Sequence, residues 1–187
     1  MEVNEQNIGP NGRLLMEYWK SLATGESIPS WDDIKISGIA PIASRVVVFE
    51  IFESGGAKIV FSGNEIDLRL KREVMGGNTQ TFGTPDEQLK VLNLSRGALL
   101  TPCGTISDFL YRSSPVEPIK RGVNLVLPLL NAEGDPRILI LTDDWLEDDI
   151  EDSVTADIEG EQKKSGYITM IDDLHYIDLG FGLPPYT

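Results

Sequence analysis

Nucleophilic chemistry in this chain depends on one cysteine and one histidine. Cys103 lies between Pro102 and Gly104, and a nucleophilic thiol needs a nearby base, which here only His175 could supply. A buried and inert thiol is the more common role of a lone cysteine. The same scarcity excludes an intrachain disulfide, a Cys/His zinc site and a metal site built on a pair of histidines.

Carboxylates are abundant, and two groups of them could do chemistry. Asp32 and Asp33 could form an acid and base pair in a small hydrolase or isomerase, although adjacent loop carboxylates diverge and often serve as caps. Residues 143–161 hold ten acidic side chains and no Lys or Arg. A calcium loop that started at Asp143 or Asp148 would lack Gly at its sixth position. We therefore interpret this run as a solvated linker or a strip that docks on a partner.

The composition and the missing motifs exclude further classes of function. The 187 residues carry a net charge of −14, with 41% hydrophobic and 25% charged residues, which is typical of a globular domain. This acidity argues against nucleic-acid binding, since phosphates attract Lys and Arg. P-loop, dinucleotide-binding and Gly-x-Ser-x-Gly motifs are absent. The sequence therefore predicts no catalytic residue, no metal site and no enzyme, and it indicates no cofactor, although an unidentified small-molecule ligand stays open.

No signal peptide or membrane segment is predicted. The N-terminus is polar, without the basic and apolar regions of a signal peptide. The apolar runs Val46–Phe52 and Val123–Leu130 are far shorter than the ~20 residues that span a bilayer. A cytoplasmic location is the simplest expectation.

The elements that must position these residues begin after a flexible arm, residues 1–12. An amphipathic helix then starts at Asn11 or Gly12 and ends near Gly25, because apolar residues recur at helical spacing. Its apolar stripe has two readings, core packing or a homodimer interface. The residues assigned to that interface are Leu15, Tyr18, Trp19 and Leu22.

Strand and helix signals alternate along the rest of the chain. Residues 46–53 and 58–62 form a predicted hairpin around Gly55-Gly56. Helices are predicted at 65–75, after an Asn64 cap, and at 84–99, where Thr84, Pro85 and Glu87 make a capping box. Strands follow at about 105–112, 121–130 and 137–143, and in the second of them Asn124 faces away from its apolar residues. Residues 166–171 and 174–181 return to apolar alternation and could add an edge strand or wrap back on the domain.

This order predicts an α+β domain with a five-stranded antiparallel sheet and helices on one face. The predicted organisation is the arm (1–12), the domain with its N-terminal helix (13–143), and an acidic linker whose tail packs back on the domain (144–187).

The order of strands and helices resembles that of PAS domains. More specifically, residues 14–143 are similar to a short, single-domain bacterial PAS family found chiefly in alphaproteobacteria. The residues that carry the resemblance are Tyr18-Trp19, Ile28–Asp33, Phe61–Asn64, Gly76-Gly77, Leu127–Leu129 with Gly134, and the tail Asp178–Pro184. The resemblance implies a sensory or interaction module with a PAS-like fold. The Asn-Cys-Arg-Phe-Leu motif of light-sensing members is missing, so Cys103 is not expected to form a flavin adduct. Residues 84–100 also lack the His usual in haem sensors.

A ligand pocket, in this reading, would lie between the sheet and helices 65–75 and 84–99. The predicted polar liners are Asn64, Arg69, Tyr111 and Asn124. Each has an alternative role: Asn64 as a helix cap, Arg69 in a surface pair with Glu65, Tyr111 as a packed aromatic, and Asn124 on the outer sheet face.

The sequence thus predicts a non-catalytic PAS module for sensing and signalling. The module would form a homodimer and would act by contact with an unknown regulatory protein. In one form of this hypothesis, a small ligand controls that contact. The alternative is an acidic adaptor or inhibitor that docks a basic partner surface through residues 143–161.

Overall fold

The computed structural model describes residues 8–24, 27–52, 56–70, 73, 75–77, 93, 97–111, 120–145 and 174–185. Their regular elements are, in chain order, α1 (Pro10–Leu22), β1 (Val47–Ile51), β2 (Ala57–Ser62), α2 (Asn64–Leu70), β3 (Cys103–Tyr111), β4 (Lys120–Leu130), β5 (Pro136–Trp145) and β6 (Leu174–Asp178). Three short 3-10 turns, Trp31–Asp33, Ile36–Ile39 and Ala43–Arg45, lie between α1 and β1. Residues 97–100 are also helical.

The strands form one antiparallel sheet in the order β2-β1-β5-β4-β3-β6. The prediction that the first hairpin and the last three strands share one antiparallel sheet is confirmed, and the fold is α+β. The sheet has six strands rather than five, because β6 pairs with the outer side of β3.

Helix α1 begins earlier than its apolar pattern indicated. Pro10 occupies the first turn, where a missing N–H costs nothing, and Ile8 is already buried before it. Residues 8–12 therefore belong to the folded domain and not to a flexible arm. The buried side of α1 carries Leu15, Met16 and Trp19, which is the spacing expected for one helix face.

The two sides of the sheet carry different helices. On what we call the α1 face, the alternate β4 residues Val123, Leu125, Leu127 and Leu129 join α1 in the largest apolar cluster. On the opposite side, the α2 face, Ile66 of α2 packs with Val47 and Ile59. The β4 alternation predicted from the sequence is thereby confirmed, since successive residues of a strand project to opposite faces.

Part of the predicted helix 84–99 falls outside the described residues, including its capping box and its first two leucines. Leu99, near its end, is buried on the α2 face with Ile51, Ala57 and Leu139. In the part of the chain that the structure describes, no helix is long and apolar enough to cross a membrane.

Candidate functional site

Three polar side chains lie side by side on the α2 face of the sheet. Asn124 of β4 is paired with Ser107 of β3 and with Asp143 of β5, and directly opposed residues project from the same face. Ser107 and Asp143 are buried and Asn124 is half-buried. We call these three residues the polar row. In the next row along the face, Val126 and Leu141 are apolar and Thr105 is a buried polar residue, so the polar row offers hydrogen-bonding groups beside apolar side chains.

Arg69 of α2 covers one end of the polar row. Its Nη1 and Nη2 atoms donate to the two carboxylate oxygens of Asp143, with 3.2 Å between Nη2 and Oδ1. The side chains of Arg69 and Asp143 are 19% and 4% exposed. Because a buried carboxylate is strongly unfavourable without a compensating charge, the guanidinium accounts for the presence of Asp143 inside the fold.

A second carboxylate approaches Arg69 from its own helix. Glu65 lies one turn earlier, with its Oε2 3.9 Å from Arg69 Nη2 and 2.6 Å from Arg45 Nε. Arg45 reaches Glu65 because the start of α2 lies against the turn Ala43–Arg45. A Cβ on Gly63 would collide with the carbonyl oxygens of Ala43 and Ser44, so this close approach requires glycine.

Asp144, the next residue of β5, projects to the α1 face instead. Its Oδ1 and Oδ2 accept the backbone N–H groups of Asn11 and Gly12, each at 3.0 Å. The first amides of a helix have no partner within the helix, and Gly9 at the cap position has no side chain to supply one. Asp144 therefore caps α1 from the sheet, where a negative charge is also favoured by the helix dipole.

Two of the four predicted ligand-binding residues lie at this site, namely Arg69 and Asn124. Asn124 is on the helix-covered α2 face, contrary to the outer-face alternative, and Arg69 is engaged mainly with a buried residue. Asn64 is the exposed first residue of α2, and its assignment as a pocket liner stays a prediction. Tyr111 ends β3 opposite Lys120, and its side chain lies outside the described part.

Sequence reasoning missed Ser107, and it assigned Asp143 and Asp144 to the solvated acidic run. The structure corrects that assignment, because β5 continues through Trp145 and both carboxylates are buried. The signal that could have separated them is the apolar run Ile138–Leu141, which predicts a strand that both carboxylates closely follow.

The residues predicted to form a dimer interface lie partly in the core. Leu15 is fully buried and Trp19 is 2% exposed, and the Trp19 indole donates from Nε1 to the carbonyl oxygen of Pro128 at 2.8 Å. Tyr18 and Leu22 are half-buried against the same core. Leu15 and Trp19 therefore fulfil the core-packing alternative and could meet a partner only if α1 left the sheet.

Cys103 and His175 do not form a nucleophile and base pair. His175 pairs with Ile106 of β3, whereas Cys103 pairs with Asp178, so the two side chains project to opposite faces of the sheet. Burial, and then the nearby Asp178 carboxylate, raises the pKa of Cys103 to about 12. The thiol is therefore protonated and enclosed, as a structural cysteine is.

Comparisons with known proteins return only structural neighbours. No protein-family model and no curated protein matches the chain. The light-state structure of the blue-light photoreceptor Aureochrome1 LOV is 13% identical, with a TM-score of 0.41 over 66% of this chain and 94% of that one. A light-oxygen-voltage domain studied with a flavin analogue is 18% identical, with a TM-score of 0.39 over 60% and 82%. A variant of RsLOV is 9% identical, with a TM-score of 0.39 over 77% and 74%. All three TM-scores are below 0.5 and all three identities are below 25%, so these likenesses assign neither a family nor a function to the chain.

Proposed function

We propose that this protein is a non-catalytic, PAS-like sensory module. A small polar ligand is sensed at the polar row on the α2 face, and the response passes to a regulatory protein partner through α1 on the α1 face. The observation that carries this proposal is the polar row itself. Ser107, Asn124 and Asp143 lie in register across β3, β4 and β5 on the α2 face, and Arg69 of α2 pairs with Asp143 at one end of the row.

The residues of the polar row differ in the hydrogen bonds that other side chains make to them. Asp143 is paired with Arg69, whereas no side-chain hydrogen bond joins Ser107 or Asn124 to another described residue. An amide and a hydroxyl can each donate and accept, so the two groups suit a ligand that carries hydroxyl, amide or carbonyl groups.

Native mass spectrometry of the full chain, freshly purified, tests the sensing part. We expect an added mass from a bound small molecule, and we expect Asn124→Leu to lose it. Thr142→Val is the matched control, because Thr142 is a buried polar residue next to Asp143 that pairs with Leu125 on the α1 face, and it should keep the added mass. Equal retention by Asn124→Leu, or no mass together with no thermal shift from a panel of polar metabolites, contradicts ligand sensing at this site.

In the signalling part of the proposal, α1 is the element that contacts the partner. Leu15, Met16 and Trp19 form a buried apolar stripe, and repositioning of α1 would present that stripe to a partner or to a second copy of the chain. The homodimer and a cytoplasmic location remain predictions on this proposal. Light scattering of the wild type and of Trp19→Asp tests the homodimer, and an unchanged mass with a dimeric wild type rejects α1 as its interface.

The alternative function is still an acidic adaptor, but its docking strip has fewer residues than the range 143–161 that the sequence predicted. Asp143 and Asp144 are buried in β5 and engaged within the fold, so they cannot dock on a basic surface. Residues 146–161 lie outside the described residues. A salt titration of partner binding separates the two proposals, because exposed charges are screened by salt and apolar contacts are not.

A further inference from the structure

The two buried carboxylates of β5 are adjacent in sequence and serve different helices. Asp143 faces α2 and receives the guanidinium of Arg69. Asp144 faces α1 and receives its first free amides, those of Asn11 and Gly12. One peptide unit of β5 therefore joins a charge pair on one side of the sheet to a helix cap on the other.

Helix α1 also holds that peptide unit directly. The side-chain amide of Asn11 donates from Nδ2 to the carbonyl oxygen of Asp143 at 2.8 Å. This oxygen belongs to the peptide bond between Asp143 and Asp144. A shift of the backbone at Asp143 therefore changes three hydrogen bonds of α1 at once, namely the two amides on Asp144 and the Asn11 side chain.

In the part of the chain that the structure describes, this end of β5 pairs with a neighbouring strand on one side only. Its pairing with β1 covers Ile138–Leu141, whereas its pairing with β4 continues through Asp144 to Trp145. Asp143 and Asp144 thus lie beyond the last residue that β1 holds. Strand ends with one neighbour open more easily than the centre of a sheet, so this segment is the place where β5 can move.

The fit around Asp144 is tight on the α1 side. A Cβ on Gly9 would collide with the Asp144 carboxylate. Gly9 has an ordinary extended backbone, with φ −67° and ψ 174°, so alanine there brings no backbone strain. Gly9→Ala is therefore a steric probe of Asp144 that adds no charge and removes no hydrogen-bonding group.

We propose that Asp143 and Asp144 form a link between the two faces of the sheet. Through this link, the ion pair between Arg69 and Asp143 determines how stably α1 is held against the α1 face. The link adds a transmission route to the function proposed above, and its biological role rests on that function. An event at the polar row that draws Arg69 away leaves Asp143 buried and unpaired, displaces β5 at this peptide, and weakens the cap of α1. Tight pairing of Arg69 keeps α1 on the sheet.

Hydrogen exchange of the full chain, followed by NMR, tests the link without any ligand or partner. The reporters are the amides of Asn11 and Gly12, which depend on Asp144 for protection, and the β4 amides report global unfolding. Arg69→Gln should speed exchange of both reporters about fivefold or more relative to β4, at the low end of usual coupling between sites. Asp144→Asn, which changes the cap itself, should speed them at least as much.

Arg45→Gln is the matched control, since it removes the other arginine that pairs with Glu65 and leaves Asp143 paired. We expect less than a twofold change at Asn11 and Gly12. By the reciprocity of coupling, Gly9→Ala should speed exchange of the α2 amides. If Arg69→Gln does not fold, Arg69→Lys keeps a charge but loses the two-pronged geometry and should give a smaller effect of the same sign.

Unchanged reporters in Arg69→Gln or Arg69→Lys, or an equal change in Arg45→Gln, overturn the link. The ligand experiment at the polar row has a separate outcome. Loss of the link with ligand binding intact removes only this route to α1, whereas an intact link without any ligand removes the sensing proposal.

Discussion

Replacing Arg69 with Met tests whether Asp143 depends on its guanidinium. The substitution keeps most of the aliphatic stem and removes the charge, which leaves a carboxylate that is 4% exposed. Breaking a buried ion pair typically costs 3–5 kcal/mol, and the partial exposure of Arg69 favours the lower end, about 3 kcal/mol. With a slope of about 2 kcal/mol per molar urea, the unfolding midpoint should fall by about 1.5 M.

The matched control is Arg45→Met, because Arg45 pairs with Glu65, whose side chain is 40% exposed. Pairs of this kind contribute less than about 1 kcal/mol, so the midpoint should move by about 0.5 M or less. The double variant Arg69→Met with Asp143→Leu should recover most of the loss, since both partners are then apolar. Urea unfolding followed by circular dichroism measures all of them. A loss in Arg69→Met no larger than in Arg45→Met would refute the reasoning.

Three further predictions concern buried groups. Trp19→Phe leaves the Pro128 carbonyl without its indole donor and should lower the free energy of unfolding by about 2 kcal/mol; urea titration measures it, and a change below about 0.5 kcal/mol speaks against a buried Trp19. The Thr142 hydroxyl is buried with no hydrogen-bond partner among the described residues, so Thr142→Val should raise Tm with a gain of about 1 kcal/mol, and a lower Tm would show that the hydroxyl has a partner. Burial, then Asp178, raises the pKa of Cys103 to about 12, so the folded chain keeps a proton that the unfolded chain releases near its ordinary value of about 9. Stability should therefore be intact below pH 9 and fall as the pH rises toward 12, and Cys103→Ala should flatten the fall; identical pH profiles would contradict this.

The sheet was predictable because its strands carry a strong period of two. Val123, Leu125, Leu127 and Leu129 occupy alternate positions of β4 and share one buried face, and burial of one apolar side fixes both the face and the register. The hairpin between β1 and β2 carries its own turn glycine, Gly56, with φ 90°. Such local signals do not depend on contacts with residues that are distant in sequence.

The site was only partly predictable because its contacts join distant segments. Arg69 has a helix neighbour, Glu65, at four residues' spacing, and that local pair hid its stronger partner Asp143, 74 residues away in sequence. The cap of α1 was hidden in the same way, since Asp144 is 132 residues from Gly12. A sequence pattern shows caps within a few residues of a helix start, and a cap supplied by a strand leaves no such pattern.

A double-mutant cycle between Gly9→Ala and Arg69→Gln tests the central claim most directly, because the two residues lie on opposite faces of the sheet. Unconnected sites add within about 0.3–0.5 kcal/mol in the free energy of unfolding. We predict that the double variant loses less stability than the sum of the single ones by about 1 kcal/mol, since a displaced β5 has already weakened the cap. The same cycle with Arg45→Gln should be additive. Additivity in both cycles would contradict a link between α2 and α1 through Asp143 and Asp144.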